Sequence, residues 1–304
     1  MPDLITILGP TATGKTLLAA HLAHHLKGEI ISADSRQVYK GLDIGTGKDL
    51  KDYEVDGNPI PYHLIDIAEV TNEYNLFQYQ QDFLTAFQEI KNGNVLPILC
   101  GGTGLYLDAI LKGYHLKKAP FDEELRGNLA DLPDEVLVKM LSGLRRLHNI
   151  TDVEDRDRLI RAIEIARFEA EHPDVVFPKL SSINFGIRFE REEIKKRITH
   201  RLKIRLQSGM LDEVQGLLKS GISSERLFKL GLEYRWVSQY LLNQVNYNDM
   251  FQKLNAAIHA FAKRQMTWFR KMEREGINIH WLDGNLLLED KTSFIKSHIE
   301  KSLK

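Results

Sequence analysis

An α/β architecture is what this sequence predicts, and three observations carry it. Short apolar runs alternate with helix-period stretches over the first hundred residues; a glycine-rich turn separates the first such run from the first helix; and the later chain reads as charged amphipathic helices. Strands separated by helices imply right-handed crossovers and a parallel sheet, with ligands at the carboxyl ends of the strands.

The elements follow in order. LITIL (Leu4 to Leu8) reads as a strand, and LLAAHLAHHL after the turn reads as a helix. EIISADS (Glu29 to Ser35) is a second short strand, FQYQQDFLTAFQEIKNG (Phe77 to Gly93) a helix closed by glycine, and VLPILC (Val95 to Cys100) a third strand. From Phe121 the strand signal fades, and residues 121–180 read as a helical insertion. INFGIRF (Ile183 to Phe189) is the one later strand candidate, returning to the sheet. EEIKKRITHRLKIRLQSGMLDEVQGLLKSG then reads as amphipathic helix with a glycine stop, and helices run to the end. The expected organisation is therefore residues 1–120 with 181–304 as the core plus a helical C-terminal region, and residues 121–180 as an inserted domain.

Composition narrows the function classes. The chain has 304 residues, of which 43% are apolar, enough for a buried core, and a single cysteine, Cys100, which excludes an internal disulfide and a multi-cysteine zinc site. The N-terminus has no secretory signature, and no apolar run approaches the ~18 residues of a membrane span. A cytoplasmic monomer with no membrane partner is expected. The net charge of −1 conceals polarity: residues 1–120 carry −4, residues 121–190 carry −5, and residues 191–275 carry +8. Such asymmetry suits a polyanionic partner, although a solvated helical surface would carry the same charges.

Gly9, Pro10, Thr11, Ala12, Thr13, Gly14, Lys15 and Thr16 match GxxxxGK[ST] between a strand and a helix. This is the phosphate-cradling loop of nucleotide- and ATP-binding proteins, and it makes the predicted sheet P-loop NTPase-like. Glycines let successive amides point at phosphate oxygens, Lys15 adds a charge, and the Thr16 hydroxyl can ligate magnesium. An ordinary NTPase would end a later apolar strand in a magnesium-holding aspartate, whereas VLPILC ends in Cys100 and GGTGLY. Asp34, at the end of the second strand, should face the loop's crevice. Its position suits a general base beside a diphosphate, and equally a turn cap with Ser35. Thr103, in the GGTG turn, can present a hydroxyl to the same crevice.

These residues carry a resemblance over most of the chain. GPTATGKT, ISADSRQVYKGLDIGTGK (Ile31 to Lys48), PILCGGTGLYLDAIL and AKRQMTWFR (Ala262 to Arg270) resemble the blocks of the tRNA dimethylallyltransferase family. RLIRAIEI (Arg158 to Ile165) and the spacing of Arg191, Ile194, Arg197 and Arg201 are similar to two further family helices. Two departures stand out: KLGLEYR has Leu232 and Glu233 where the family has G-Y-[KR]-[EQ], and IHAF precedes AKRQ in place of the usual Arg and Tyr. No Cys/His zinc finger follows AKRQMTWFR, so the bacterial type is the better match.

The resemblance implies prenyl transfer from dimethylallyl diphosphate to the exocyclic amine of the adenosine beside the tRNA anticodon. The loop, Lys15, magnesium on Thr16 and Arg197 would stabilise the departing diphosphate; Asp34 would be the base, and Thr103 would position the amine. The adenosine would be turned out of its stack into the crevice. By position, tRNA contacts would fall on Asp34, Ser35, Arg36, Gln37 and Thr103; on Asp157, Arg158, Leu159, Ile160 and Arg161; on Lys229 and Gly231; and on Lys263, Arg264, Gln265, Trp268 and Arg270. Helix-face packing would account for Trp268 as well, and intrahelical ion pairs for Arg158 and Arg161. Three other readings compete: a small-molecule kinase, which would want an Arg-rich lid; an adenylate prenyltransferase, with no use for the +8 region; and an RNA-binding module without catalysis.

Overall fold

The computed structural model describes residues 2–144, 155–172 and 177–302. Its elements are β1 (Leu4–Leu8), α1 (Lys15–Leu26), β2 (Gly28–Ala33), the short β3 (Glu54–Val55), β4 (Asn58–Pro59) and β5 (Tyr62–His63), α2 (Leu76–Asn92), β6 (Leu96–Gly101) and α3 (Gly104–Leu111). Then come α4 (Glu123–Ala130), α5 (Asp134–Leu144), α6 (Arg156–Glu171), β7 (Ser182–Arg188), α7 (Arg191–Gln207), α8 (Met210–Lys219), α9 (Ser224–Leu230), α10 (Leu232–Leu241), α11 (Tyr247–Arg274), β8 (Ile279–Asp283) and α12 (Leu288–Ser302).

Six strands form one parallel sheet in the order β5-β2-β6-β1-β7-β8, flanked by helices. β1 lies inside it, and the chain leaves β1 toward β2 on one side and returns as β7 on the other. The crevice at the carboxyl end of β1 is thus the topological switch point, where ligands of such sheets bind. β1, β2 and β6 are almost wholly buried, which explains their continuous apolar runs. Ile5, Ile7, Ile30, Ile98 and Phe185 pack with Leu18, Leu22 and Ile295 in the sheet's core. α2 starts with a reciprocal cap in which Asn75 and Gln78 bond each other's backbone N–H.

Two expectations are corrected here. β8 is a second late strand, where helices were expected to run to the end. The segment after Arg191 is two helices, because Gly209 at φ 101° takes a left-handed backbone shape between the end of α7 and the start of α8. Helices α7 to α11 share a second core, with Leu202, Met210, Leu230, Tyr234 and Leu254 at its centre.

The chain divides into two units, Met1–Gly113 with Lys179–Lys304, and Tyr114–Pro178. The smaller unit is helical, with Leu125, Leu137, Leu141, Leu159 and Ile163 in its own core. Glu164 ties it together. Its buried carboxylate accepts from Arg126 (2.7 and 3.0 Å), Arg161 (3.0 Å) and the Asp122 N–H (3.2 Å). Burial alone would raise its pKa, but those bonds outweigh burial and hold it below the ordinary glutamate value. A depressed folded pKa means stability present above the unfolded value and lost as pH falls through the folded one. Acidification below about pH 4 should therefore speed hydrogen exchange in α4 and α6. E164Q should cost about 1–3 kcal/mol at neutral pH and flatten that acid dependence.

Candidate active site

The phosphate loop forms the floor. Ala12 (φ 65°) and Gly14 (φ 78°) both take left-handed backbone, curling the loop so that its amides converge above the start of α1. The Thr13 hydroxyl donates to the Pro10 carbonyl at 2.9 Å. Gly9 lies so close to β7 that an added Cβ would sit 2.9 Å from the Ile187 oxygen.

One side chain fixes the loop from outside. The Thr11 N–H donates to Gln265 Oε1 at 2.9 Å, and Gln265 Nε2 donates to the Gly102 carbonyl at 2.8 Å. Gln265 is buried, so its amide is a cross-brace between the phosphate loop and the turn after β6, turned inward from the RNA contact expected of it. Gly102 permits the approach, since a Cβ there would lie 2.5 Å from Nε2.

The acidic wall is built by the neighbouring ends of β2 and β6. β2 stops at Ala33, which leaves Asp34 in the turn, and Asp34 Oδ1 accepts from the Arg36 N–H (2.9 Å) and the Gln37 N–H (3.4 Å). The turn-cap role is therefore real. It occupies one oxygen, and among the described residues Oδ2 has no hydrogen-bond partner. Thr103 is held alongside: its N–H donates to the Ala33 carbonyl (3.1 Å), and its Oγ1 accepts from the Ser35 N–H (3.0 Å). Gln37 points its amide inward, donating to the Gly47 carbonyl at 3.0 Å.

Cations line the facing wall from one helix. Arg197, Arg201 and Arg205 recur every four residues along α7 and share a face. Arg197 Nε donates to the Ala12 carbonyl at 3.0 Å, with its guanidinium 4.4 Å above the Phe189 ring. Arg201 donates to the Thr11 hydroxyl, and Arg205 pairs with Asp49 at 3.3 Å while packing on Gly47. Burial and the Arg205 charge push the Arg201 pKa down to about 10, so it stays charged at neutral pH. Burial also lowers the Lys15 pKa, opposed by Cys100 and Asp34. Glu233 belongs to this wall too. Burial raises its pKa, opposed by a bond to its own backbone N–H and by Arg205 and Arg201. Of these side chains the sequence takes only Arg197 into the catalytic site; the four-residue repeat is the signal for Arg205, and Glu233 stands out only as a departure from the family pattern.

Cys100 lies beneath the loop, buried against Lys15 and the Thr16 hydroxyl. Burial pushes its thiol up to about 12, so almost no thiolate exists at pH 8. Iodoacetamide should leave the native protein unlabelled and modify it fully in denaturant, read by intact mass. Thr16, the second residue of α1, carries a hydroxyl that meets Cys100 and is an oxygen donor suited to a hard cation that keeps waters and substrate phosphates as its other ligands. Among the described residues no cluster of three His, Cys, Asp or Glu side chains forms a metal cage.

The remaining expected RNA contacts divide. Lys263, Arg264 and Arg270 are exposed on α11, and Lys229 is exposed at the end of α9. Gly231 takes φ 154°, a glycine conformation that joins α9 to α10. Trp268 is half-buried against Gly104, where a Cβ would lie 2.4 Å from its ring, so packing holds it. In the smaller unit Asp157 and Arg158 are exposed, but Leu159 and Ile160 are core residues, and Arg161 bonds the Ala119 and Pro120 carbonyls and Glu164. Leu159 and Ile160 are turned inward, whereas Arg161 keeps part of its side chain exposed. No described helix is long and apolar enough to cross a membrane.

Comparison with known proteins fits this geometry. The family model described as IPP transferase matches residues 37–272, and the one described as isopentenyl transferase matches residues 2–59. A tRNA dimethylallyltransferase 2 of Bacteroides fragilis is 52% identical over 98% of both chains, and one of Phocaeicola vulgatus is 54% identical over 96% of both. The crystal structure of the tRNA isopentenylpyrophosphate transferase of Bacillus halodurans has a TM-score of 0.73 at 30% identity, covering 100% of this chain and 97% of that one. A eukaryotic dimethylallyltransferase acting on tRNA has a similar fold, with a TM-score of 0.74 at 21% identity over 92% of this chain and 73% of that one.

Proposed function

This chain belongs to the tRNA dimethylallyltransferase family, and on that premise we propose that it transfers a dimethylallyl group from dimethylallyl diphosphate to the exocyclic amine of the adenosine 3′ to the tRNA anticodon. The observation that carries this reading is one crevice in which Asp34 and Thr103 stand across from a phosphate loop and a row of arginines. That is an arrangement for a proton acceptor on one side and an anionic leaving group on the other.

The bond from the allylic carbon to the diphosphate oxygen breaks as the amine nitrogen bonds that carbon. Negative charge grows on the diphosphate, where the loop amides, Lys15 and the remaining N–H groups of Arg197 and Arg201 stabilise it. Bound magnesium would add charge stabilisation there, held by Thr16 and diphosphate oxygens. The amine is a weak nucleophile because its lone pair is shared with the ring, so Asp34 Oδ2 takes its proton as the new bond forms. Thr103 orients the amine. The turn that fixes Oδ1 leaves Oδ2 aimed and available, so capping and proton transfer use different atoms of one carboxylate.

The test is to incubate the protein with magnesium, dimethylallyl diphosphate and unmodified tRNA, with free AMP and ATP as rival acceptors, and to weigh the digested nucleosides. A prenyl gain on the anticodon-adjacent adenosine is expected. A gain on free AMP alone, or none anywhere, would overturn the proposal.

A further inference from the structure

α7 has a second cationic face that the reaction does not use. Lys195, Thr199 and Lys203 recur every four residues, as do Lys196 and His200, on the side of the helix turned away from Arg197, Arg201 and Arg205. With Glu192 they line a shallow trough of about 360 Å³. Thr199 anchors the face to α11, donating to Asn255 at 3.0 Å and lying 3.3 Å from His259, whose ring also meets the Lys195 carbonyl. Lys195 pairs with exposed Glu192 at 2.8 Å, a contact worth little in water. Among the described residues, Lys203 pairs with no carboxylate, and Lys196 meets only the same exposed Glu192, at longer range than Lys195 does.

We propose that this outer face of α7 docks the sugar-phosphate backbone of the tRNA, away from the nucleotide that enters the crevice; the inference rests on the function proposed above. Four cationic or protonatable side chains facing one way repel each other, and a polyanion relieves that repulsion while releasing its own counterions. Apart from the His200 ring the trough lining offers no flat surface on which to stack a base, and its lysine, threonine and histidine donors suit phosphate and ribose oxygens. The face continues onto α11, where Lys263 stands exposed one turn beyond His259. Lys196 and Lys203, seven residues apart, stand ~10 Å from each other along the helix axis, which lets them reach separate phosphates of one strand. One helix would thus hold both anions of the reaction, the diphosphate inside and the RNA backbone outside.

Full-length unmodified tRNA should be titrated with the wild-type protein and with the K195A/K196A/K203A variant across a salt series. The variant should bind at least 10-fold more weakly at low salt, with a log–log salt slope shallower by about 2 to 3. In turnover assays the loss should fall on KM for tRNA and spare kcat. The corresponding triple lysine-to-arginine variant should keep the wild-type slope, and the single K203E should lower it by about 1 or more. An unchanged slope in the alanine variant, or a loss confined to kcat, would overturn the docking surface. A wild-type protein that binds tRNA with a steep slope yet transfers no prenyl group would instead overturn the function and leave the surface standing.

Discussion

Asp34→Asn is expected to lower the single-turnover rate of prenyl transfer by about 100-fold or more while leaving the tRNA Kd within a factor of about two. Asparagine is the informative replacement. Its side-chain oxygen can still accept from the Arg36 and Gln37 N–H groups, so the turn after β2 and the hydroxyl–amide bond between Thr103 and Ser35 should survive. What disappears is the basicity of the second oxygen. Alanine would remove both, and its effect would mix a lost base with a loosened turn. Rapid mixing of a saturated enzyme with both substrates isolates the chemical step from product release. If Asp34→Asn transfers the prenyl group at the wild-type single-turnover rate, Asp34 is a turn cap and nothing more.

The parts of this molecule that were legible from its residues are those whose physics is local. β1, β2, β6 and β7 announce themselves because interior parallel strands are apolar on both faces, and the loop after β1 because only small residues permit its left-handed turns. β8 stayed hidden because it is an edge strand of five residues, paired only with β7, whose alternation breaks at His280 and Trp281. The break at Gly209 was read through because the helix period resumes in phase at Met210. In the site, Asp34 and Thr103 were found from strand ends, whose neighbours follow from topology. The four-residue repeat puts Arg201 and Arg205 on the face of Arg197, but that this face and Glu233 meet the loop depends on how α7 and α10 lie over it. Leu159 and Ile160 carry two readings at once: their place in a familiar run suggests RNA, while the apolar spacing that puts Leu159 on a buried helix face points to the core that holds them both.

Gln265 shows the same lesson with a measurable consequence. Between Arg264 and Met266, in a run of exposed cations, an amide reads as a surface hydrogen bonder, and its burial arises only because α11 crosses both the loop at Thr11 and the turn at Gly102. Replacing it by leucine keeps the volume and helix propensity close but strands the buried Gly102 carbonyl and the half-buried Thr11 N–H. At about 1–3 kcal/mol for the buried group and less for the half-buried one, the cost should be about 1–4 kcal/mol of stability, seen as a lower denaturation midpoint with an unchanged m-value. The functional effect should be as particular. Thr11 also meets Arg201, and Gly102 adjoins the Lys15 stem, so a slackened brace disturbs the diphosphate cradle before anything else. KM for dimethylallyl diphosphate should rise about 10-fold or more, a misplaced cradle weakening charge-assisted contacts worth about 1.5–3 kcal/mol each. The tRNA Kd should hold. A Gln265→Leu protein with ordinary affinity for the diphosphate and weakened affinity for tRNA would return Gln265 to the RNA surface, and Gln265→Glu separates the two cases further. A carboxylate can still accept from Thr11 but cannot donate to Gly102, and it places a negative charge beside the phosphates, so under the brace it should harm diphosphate binding more than leucine does.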